Sequence, residues 1–480
     1  MQRDAQPSTW PRLLLALVAL GTLVGFFIYP TYPNYDSLYS LIWGEEILSG
    51  ELPSFEVYRA PTEHPLALVF GALMSIFGEG GDRLMVFVTL ASFVGLVAGL
   101  YRLAAVAFTP LVGVIAGALL ISRFDFAFLA ARGYIDIPYL AFVVWAAALE
   151  AGRRRRGTPV FVLLTLAGLM RPEAWLLVGL YWLFYVWPRT TPWRTRIATA
   201  ALAAVGPVVW ATVDAIVTGD PLYSLHSTST LAEELGRSHG LSAVPQATWS
   251  FLTSLDKAPV VYASVIGLML AVVLVPRRLG MPFLLLAIGL ATFGLVGVAG
   301  LSIIDRYLLV PSLMVMIFAG VAFGGWTMLA DGRARTFWRA AFVVLLIGGV
   351  AYTIINLNPV RFRNELDFRE RYRSDLTRVL ADPAVKAGLR CGPLSVPNHK
   401  LIPDIRWVTG LSEDEVVARS DDRQRDRIGT GVALYVTGRY ALLRQAFVSA
   451  LDETETQLPL PGFERVATSG YYGAYVRCNG

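Results

Sequence analysis

Residues 10–39 read WPRLLLALVALGTLVGFFIYPTYPNYDSLY, an apolar run followed at once by a polar loop that carries Asp36. The run has the length of a helical bilayer crossing, which takes about 20 apolar residues. It lacks a small-residue cleavage site and continues into Tyr-Pro-Thr-Tyr-Pro, so it predicts a retained first helix and not a signal peptide. A carboxylate just beyond such a helix is costly to desolvate, which makes Asp36 a candidate functional residue.

Comparable apolar runs recur along the first three quarters of the chain. Of the 480 residues, 55% are hydrophobic and 16% are charged. The composition predicts a mainly α polytopic membrane protein, because helices are the only spanning structure that runs of this length allow. Eleven candidate spans follow from the runs: 10–29, 83–101, 105–122, 135–151, 158–170, 174–187, 197–217, 259–275, 282–300, 307–329 and 339–357.

The basic residues indicate how the chain is oriented. If Arg3 and Arg12 are cytoplasmic and the spans alternate, every strong basic cluster falls on the cytoplasmic side. The net charge of +5 is therefore explained by the membrane, and it does not indicate a nucleic-acid partner. The clusters are Arg102, Arg153 to Arg156, Arg189 with Arg194 and Arg196, Arg277 with Arg278, and Arg333 to Arg339.

This orientation requires that the apolar segment 64–78 does not cross the bilayer. The segment has only about 15 residues, which is short for a crossing. We expect a juxtamembrane or re-entrant helix at the outer face; a true twelfth span is the alternative. The protein is then a multi-pass protein of the cell (plasma or inner) membrane with a cytoplasmic N-terminus.

The chain divides into two predicted domains. Residues 1–357 form a transmembrane module with outer loops at 30–63 and 218–256, and residues 358–480 form a small extracytoplasmic α/β domain. His226 and His239 lie in the second loop, which could form a lid. The C-terminal domain alternates helix-like runs with strand-like runs: 365–380, 413–419 and 439–451, against 432–436 and 471–476.

The two cysteines, Cys391 and Cys478, both lie in the C-terminal domain. Neither has metal-ligand spacing. A disulfide between them is plausible if the domain is outside the cell, and two free thiols are the alternative.

The first outer loop carries the first group of candidate residues. Residues 37–49 predict an amphipathic interfacial helix whose Leu38, Leu41, Ile42 and Leu48 face lipid. Asp36 then either performs chemistry or caps that helix. At the end of the loop, Glu63 and His64 are candidate contacts for a phosphate or a hydroxyl group.

Two further charged groups begin predicted spans at the outer face. Arg132 precedes Asp136 by four residues, so the two either pair structurally or lie at the mouth of a cavity. Arg171 and Glu173 flank a proline between two apolar runs, where interfacial anchoring is the alternative to function.

A third group, Asp305-Arg306-Tyr307, begins a late span, and the same anchoring alternative applies to it. Arginine suits phosphate recognition because its planar fork of donors is permanently charged. The four histidines show no metal-ligand pattern, and the chain has no Walker motif and no dinucleotide fingerprint.

These motifs, in this order and on one predicted side, resemble the GT-C glycosyltransferases, in particular the protein O-mannosyltransferase and aminoarabinose-transferase-like branch. The resemblance covers roughly residues 10–330. Glu63-His64-Pro65 corresponds to the His-Pro-Pro stretch of that branch, but Leu66 stands in place of the second proline.

The resemblance implies a polyprenyl-phosphate-linked sugar as donor and a glycan, lipid or protein as acceptor at the outer face. Asp36 would be the general base, and the sugar would invert. Asp136 would orient a substrate. Arg306, with Arg132 or Arg171, would neutralise the phosphate. The remaining substrate-binding candidates are Glu63, His64, Glu173 and Tyr307.

Members of this fold divide over metal use. Asp36 and Asp136 could bind a divalent cation such as Mg²⁺ or Mn²⁺, but two carboxylates far apart in sequence do not establish a metal site.

Two other functions stay open at this point: a multi-pass transporter or flippase of lipid-linked or envelope substrates, and a non-catalytic envelope-assembly protein. Transporters often show internal repeats and ionisable residues at mid-membrane. Here the candidate charges lie at the ends of the spans, which favours the transferase.

Overall fold

The computed structural model describes residues 10–187, 190–234, 240–299, 303–356, 359–444 and 459–478. Arg3, Arg189 and His239, on which parts of the topology and lid predictions rest, lie outside the described residues. So do the predicted domain boundary at 357/358 and the last part of the run 439–451.

The described chain is mostly helical, as predicted. Its α-helices are α1 (Trp10–Ile28), α2 (Tyr35–Leu48), α3 (Pro65–Ser75), α4 (Gly81–Ala107), α5 (Pro110–Ser122), α6 (Phe124–Ala131), α7 (Asp136–Gly152), α8 (Thr158–Met170), α9 (Glu173–Val186), α10 (Trp193–Thr218), α11 (Tyr223–Glu234), α12 (Val244–Asp256), α13 (Ala258–Leu274), α14 (Gly280–Val298), α15 (Leu309–Gly324), α16 (Arg333–Asn356), α17 (Pro359–Leu380), α18 (Pro383–Gly388), α19 (Ile402–Thr409) and α20 (Arg439–Arg444).

Five stretches of helix in the described residues are long and apolar enough to cross a membrane, and two bent helix pairs raise the number to as many as seven. α3, α8 and α9 are apolar but shorter. The predicted number of eleven spans is therefore not confirmed by helix length. α3 has 11 residues, so it is about 16 Å long and too short to cross hydrocarbon about 30 Å thick. Its position relative to the membrane faces stays a prediction.

The prediction that α2 is an interfacial helix with an apolar face toward lipid is wrong for most of that face. Leu38 and Leu41 are fully buried and Ile42 is nearly so, whereas Leu48 is 53% exposed. The buried face packs against protein, because α3 crosses α2 closely. A Cβ added at Gly71 of α3 would lie 1.8 Å from the Ser40 carbonyl oxygen, so only glycine permits this contact.

The C-terminal domain contains a five-stranded sheet in the order β2-β1-β3-β5-β4. β1 pairs in parallel with β2 and β3, and β5 pairs antiparallel with β3 and β4. The sheet confirms the predicted α/β class, and the strands are β1 (Leu394–Val396), β2 (Val416–Ala418), β3 (Gly431–Val436), β4 (Glu464–Ser469) and β5 (Tyr472–Arg477).

The helix predicted over 413–419 is wrong, because Val416–Ala418 form β2 at the sheet edge. All three residues are buried, and tertiary packing overrides the charged, helix-like local pattern. Cys391 and Cys478 form a disulfide, with Cα atoms 5.2 Å apart.

The C-terminal domain packs on the first loop. Tyr39 and Trp43 of α2 belong to the same hydrophobic core as Phe368 of α17. Polar contacts cross the same boundary, since Arg406 of α19 forms an ion pair with Glu46 of α2 at 2.6 Å. This docking makes the C-terminal domain one wall of a cavity.

Candidate functional site

A cavity of about 760 Å³ lies where the loops next to α2, α3, α7, α9 and α15 meet the C-terminal domain. Most of the residues singled out in the sequence line it, although the longest sequence separation among them is 271 residues, between Asp36 and Tyr307. The lining includes Asp36, His64, Arg132, Arg171, Glu173, Arg306 and Tyr307.

Asp36 lies in the first turn of α2, where Asn34 and not Asp36 is the N-cap. The Asn34 side chain accepts from the backbone N–H of Ser37, so the interpretation of Asp36 as a cap is wrong. The turn is fixed to the α6–α7 connection, because the Ser37 hydroxyl donates to the Gly133 carbonyl oxygen at 2.6 Å. The Asp36 carboxylate is thus left for other contacts.

Arg306 joins the two aspartates that the sequence separates by 100 positions. Its Nη1 donates to Asp36 Oδ2 at 3.0 Å and lies 3.5 Å from Asp136 Oδ2. The side chains of Arg306 and Asp36 are 30% and 21% exposed, whereas that of Asp136 is fully buried. A ligand in the cavity can therefore reach Arg306 and Asp36, and Asp136 stands behind them.

Arg171 completes the cluster from the α8–α9 connection. It donates through Nη1 to Asp136 Oδ1 and through Nη2 to Glu173 Oε1, the latter at 2.7 Å. Its guanidinium also lies 5.3 Å from the centre of the Tyr307 ring. We call Asp36, Asp136, Arg171, Glu173 and Arg306 the arginine–carboxylate cluster.

Asp136 is not among the residues that line the cavity; it contacts Arg171 and Arg306, and its assignment as a residue that orients a substrate stays a prediction. One structural alternative from the sequence is overturned. The pairing of Arg132 with Asp136 is wrong, since Asp136 pairs with those two arginines. The guanidinium of Arg132 instead lies over the Tyr32 ring at 4.1 Å.

Glu63 and His64 are adjacent in sequence but face different surroundings. Glu63 is 2% exposed and does not line the cavity; its Oε2 accepts from the Ser224 hydroxyl. Burial, followed by the nearby charge of Asp214, raises the pKa of Glu63 to about 9, so this carboxyl is protonated at neutral pH. His64 lines the cavity, and burial lowers its pKa to about 4, which leaves a neutral imidazole.

The structure also shows cavity residues that the sequence reasoning missed. Asp214 of α10 accepts from the Ser224 hydroxyl at 2.9 Å, and the Trp210 indole N–H donates to the same hydroxyl at 3.0 Å. Asp214 lies near the end of an apolar run, and an ionisable residue in such a run is a functional signal that could have identified it. His399 and Lys400 of the C-terminal domain gave no comparable signal.

Comparison with solved structures places this arrangement in a known fold. ArnT from Cupriavidus metallidurans in the apo state is similar over 97% of this chain and 98% of its own, with a TM-score of 0.54 and 15% identity. The chain has the GT-C fold. No family model matches the sequence, and the search of curated proteins gave no match.

A second GT-C enzyme, the Archaeoglobus fulgidus oligosaccharyltransferase, is similar in several states. The structure tethered with an acceptor peptide matches over 97% of this chain and 74% of its own, with a TM-score of 0.54 and 11% identity. The complex with Zn and sulfate matches over 95% and 72%, with a TM-score of 0.53 and 12% identity. The resemblance in fold that the sequence predicted is confirmed.

The residues of this chain do not assemble a metal site in the part that the structure describes. No group of three or more His, Cys, Asp or Glu side chains there could hold a metal ion. Asp36 and Asp136 converge, but on the guanidinium of Arg306, which occupies the position between the carboxylates. The divalent cation stays a prediction, and we derive no step through it.

Proposed function

We propose that the protein is a membrane glycosyltransferase that moves a sugar from a polyprenyl-phosphate donor to an acceptor hydroxyl, with inversion. One observation supports this above the others. Asp36 and Arg306, 270 residues apart, meet at 3.0 Å on the wall of a cavity large enough for a sugar substrate. A carboxylate for proton transfer and a guanidinium for a phosphate are the two groups that this reaction requires.

Arg306 binds the donor first in this proposal. The phosphodiester oxygen of the donor takes the place of the Asp36 carboxylate on Nη1 of Arg306, since both are oxyanions. The guanidinium then lies where negative charge develops as the phosphate leaves, so it stabilises the transition state more than the ground state. Arg171 adds positive charge behind it.

Donor binding also prepares the base. In the free protein the Asp36 carboxylate is held by Arg306, and an occupied guanidinium releases it toward the cavity. Asp36 accepts the proton of the acceptor hydroxyl as its oxygen attacks the anomeric carbon. The bond from that carbon to the phosphate oxygen breaks, and polyprenyl phosphate leaves with the electron pair. Attack from the opposite face inverts the anomeric centre.

Asp136 and Glu173 are positioning residues in this scheme. Asp136 contacts both guanidinium groups from its buried site at the start of α7, and Glu173 fixes the outer side of Arg171. A fixed arrangement avoids reorganisation during the reaction. We further propose that the cavity opens at the outer face of the cell membrane, so that a glycan, lipid or protein acceptor reaches it from outside.

Replacing the base tests this function. We expect the Asp36→Asn protein to express normally but to fail to restore sugar transfer in a deletion strain, with the lipid-linked donor accumulating, as measured by mass spectrometry of lipid-linked sugars. Asp305→Asn is the matched control, because Asp305 is exposed and does not line the cavity. Full transfer by Asp36→Asn would remove the base assignment.

A further inference from the structure

The connection between α7 and α8 carries four consecutive arginines, Arg153 to Arg156, and all four are exposed. We call them the arginine turn. Within the part of the chain that the structure describes, none of their guanidinium groups pairs with a carboxylate. Those of Arg154 and Arg155 lie 5.7 and 4.8 Å from the centre of the Phe184 ring. The arginine turn therefore presents positive charge that the protein does not neutralise.

The acid nearest to the arginine turn in sequence, Glu150, serves the backbone of the turn and not its side chains. Glu150 is 2% exposed. Its two oxygens accept the backbone N–H groups of Arg155 at 2.5 Å and Arg156 at 3.0 Å, and the Tyr181 hydroxyl donates to it at 2.9 Å. The carboxylate is thus occupied below the turn, and the guanidinium groups are left on the surface.

These contacts fix the shape of the arginine turn. The Tyr181 hydroxyl also accepts the backbone N–H of Gly157 at 3.0 Å, so Glu150 and Tyr181 together hold three consecutive N–H groups. Arg155 has a φ of 54°, in the left-handed region that is costly for a residue other than glycine and persists only where the surroundings hold it. A turn that is already ordered loses less conformational freedom when it binds a ligand.

The surroundings place the arginine turn at a membrane surface. Arg155 donates to the Phe184 carbonyl oxygen in the last turn of α9, and α9 packs against α10. α10 is long and apolar enough to cross a membrane, and it begins at Trp193. Trp187 and Trp193 are 82% and 67% exposed, and exposed tryptophans at the end of a span are typical of the lipid headgroup level.

The arginine turn is separate from the cavity. α7 begins at Asp136 of the arginine–carboxylate cluster and ends at Gly152, directly before the arginine turn. Its 17 residues make it about 25 Å long. A ligand of the arginine turn therefore binds at the opposite end of α7 and is neither the donor nor the acceptor of the proposed transfer reaction.

We propose that the arginine turn binds the phosphate headgroup of an acidic phospholipid. Guanidinium groups match the charge and the oxygen geometry of a phosphate. A polybasic segment at the end of a span attracts anionic lipids, and the exposed tryptophans favour a lipid over a soluble phosphate. The inference goes beyond the proposed function and does not rest on it.

The test uses the purified full-length protein in detergent, with bound lipid measured by native mass spectrometry. Dioleoyl phosphatidylglycerol and dioleoyl phosphatidylcholine are compared, because they share acyl chains and differ in charge. We expect the wild-type protein to retain phosphatidylglycerol in preference. Arg153→Gln/Arg156→Gln should weaken this binding about tenfold or more, from the loss of two cations at the headgroup level. Arg277→Gln/Arg278→Gln, which removes two exposed arginines from the α13–α14 connection, is the matched control and should bind like wild type.

Glu150→Gln separates a built site from general attraction between opposite charges. The substitution adds one positive charge to the protein, so attraction alone predicts tighter binding. We expect weaker binding, because a single amide oxygen cannot accept all the contacts of the Glu150 carboxylate and the turn loses its fixed shape. Tyr181→Phe should also weaken binding without any change of charge, which keeps the test valid if Glu150→Gln does not fold.

Four results would overturn the inference. The first is a wild-type protein with no preference for phosphatidylglycerol, and the second is an equal loss of binding in the two double variants. The third is wild-type or tighter binding in both Glu150→Gln and Tyr181→Phe. The fourth is glycerol phosphate that binds as tightly as the lipid, which would assign the arginine turn to a soluble phosphate.

Discussion

Glu63→Gln should stabilise the protein at neutral and alkaline pH, although it removes a carboxyl group from the buried hydrogen bonds among Glu63, Asp214 and Ser224. Glu63 and Asp214 both approach the single hydroxyl of Ser224, which has one hydrogen to donate. Two buried carboxylates in this position must share a proton. Glutamine resembles the protonated acid, since it can donate to Asp214 and accept from Ser224.

The size of the effect follows from the raised pKa. Glu63 titrates at about 9 in the folded protein against 4.5 ordinarily, so the folded state binds the additional proton between those values. Stability contributed by this group is complete below about pH 4.5 and falls as pH rises toward 9. At pH 7 the free energy of unfolding is lower by about 3 kcal/mol because the folded state keeps this proton, at about 1.4 kcal/mol for each pH unit above 4.5.

The assay is thermal unfolding of the detergent-solubilised protein across this pH range. The Tm of Glu63→Gln should equal that of wild type near pH 5 and exceed it increasingly toward pH 9. Glu56→Gln, an exposed carboxyl of the same loop, is the control and should show no such divergence. A Glu63→Gln protein that is less stable than wild type at pH 8, or a difference that does not vary with pH, would refute the reasoning.

Three further predictions concern a buried ion pair, helix packing and the disulfide. Arg171→Met should lower the free energy of unfolding by about 3 to 5 kcal/mol, because it leaves the fully buried Asp136 with one fewer cation. Denaturant titration measures this loss, and a loss below about 1 kcal/mol would contradict the prediction. Gly71→Ala should lower the Tm strongly, since its Cβ would lie 1.8 Å from the Ser40 carbonyl oxygen. Gly80→Ala is the control and should leave the Tm unchanged, because nothing lies within 4 Å of a Cβ there. Equal effects of the two substitutions would exclude close α2–α3 packing. Cys391→Ser should lower the free energy of unfolding by up to about 4 kcal/mol, because the disulfide joins residues 87 apart in sequence. The decrease in Tm should equal that of the reduced wild-type protein. An unchanged Tm in both proteins would show that the disulfide does not stabilise the fold.

Much of the site could be predicted because its charges lie at the ends of apolar runs. Arg171, Asp136 and Arg306 each begin or precede a helix that the hydropathy pattern marks, and an ionisable residue there is costly without a partner. The identity of the partners could not be predicted. The sequence suggested that Asp136 pairs with Arg132, but the packing of the helices places Asp136 next to Arg306, which lies 170 positions later in the sequence.

The residues that the C-terminal domain contributes to the cavity were even less predictable from the sequence. α2 has an apolar face that fits an amphipathic pattern equally well whether it faces lipid or protein, so its packing against α3 and the C-terminal domain had no distinct signature. Once α2 is buried this way, His399 and Lys400 reach the cavity. Local patterns determined the helices, whereas the choice of what covers each apolar face required the tertiary structure.

The most direct test of the central claim is the affinity of purified Asp36→Asn for farnesyl phosphate. If Asp36 and the donor phosphate compete for Arg306, removing the carboxylate charge should tighten binding several-fold, since a partly exposed ion pair contributes up to about 1 kcal/mol. Arg306→Gln should weaken it, and Asp36→Asn should at the same time abolish sugar transfer. Affinities that equal wild type in both variants would contradict a shared site.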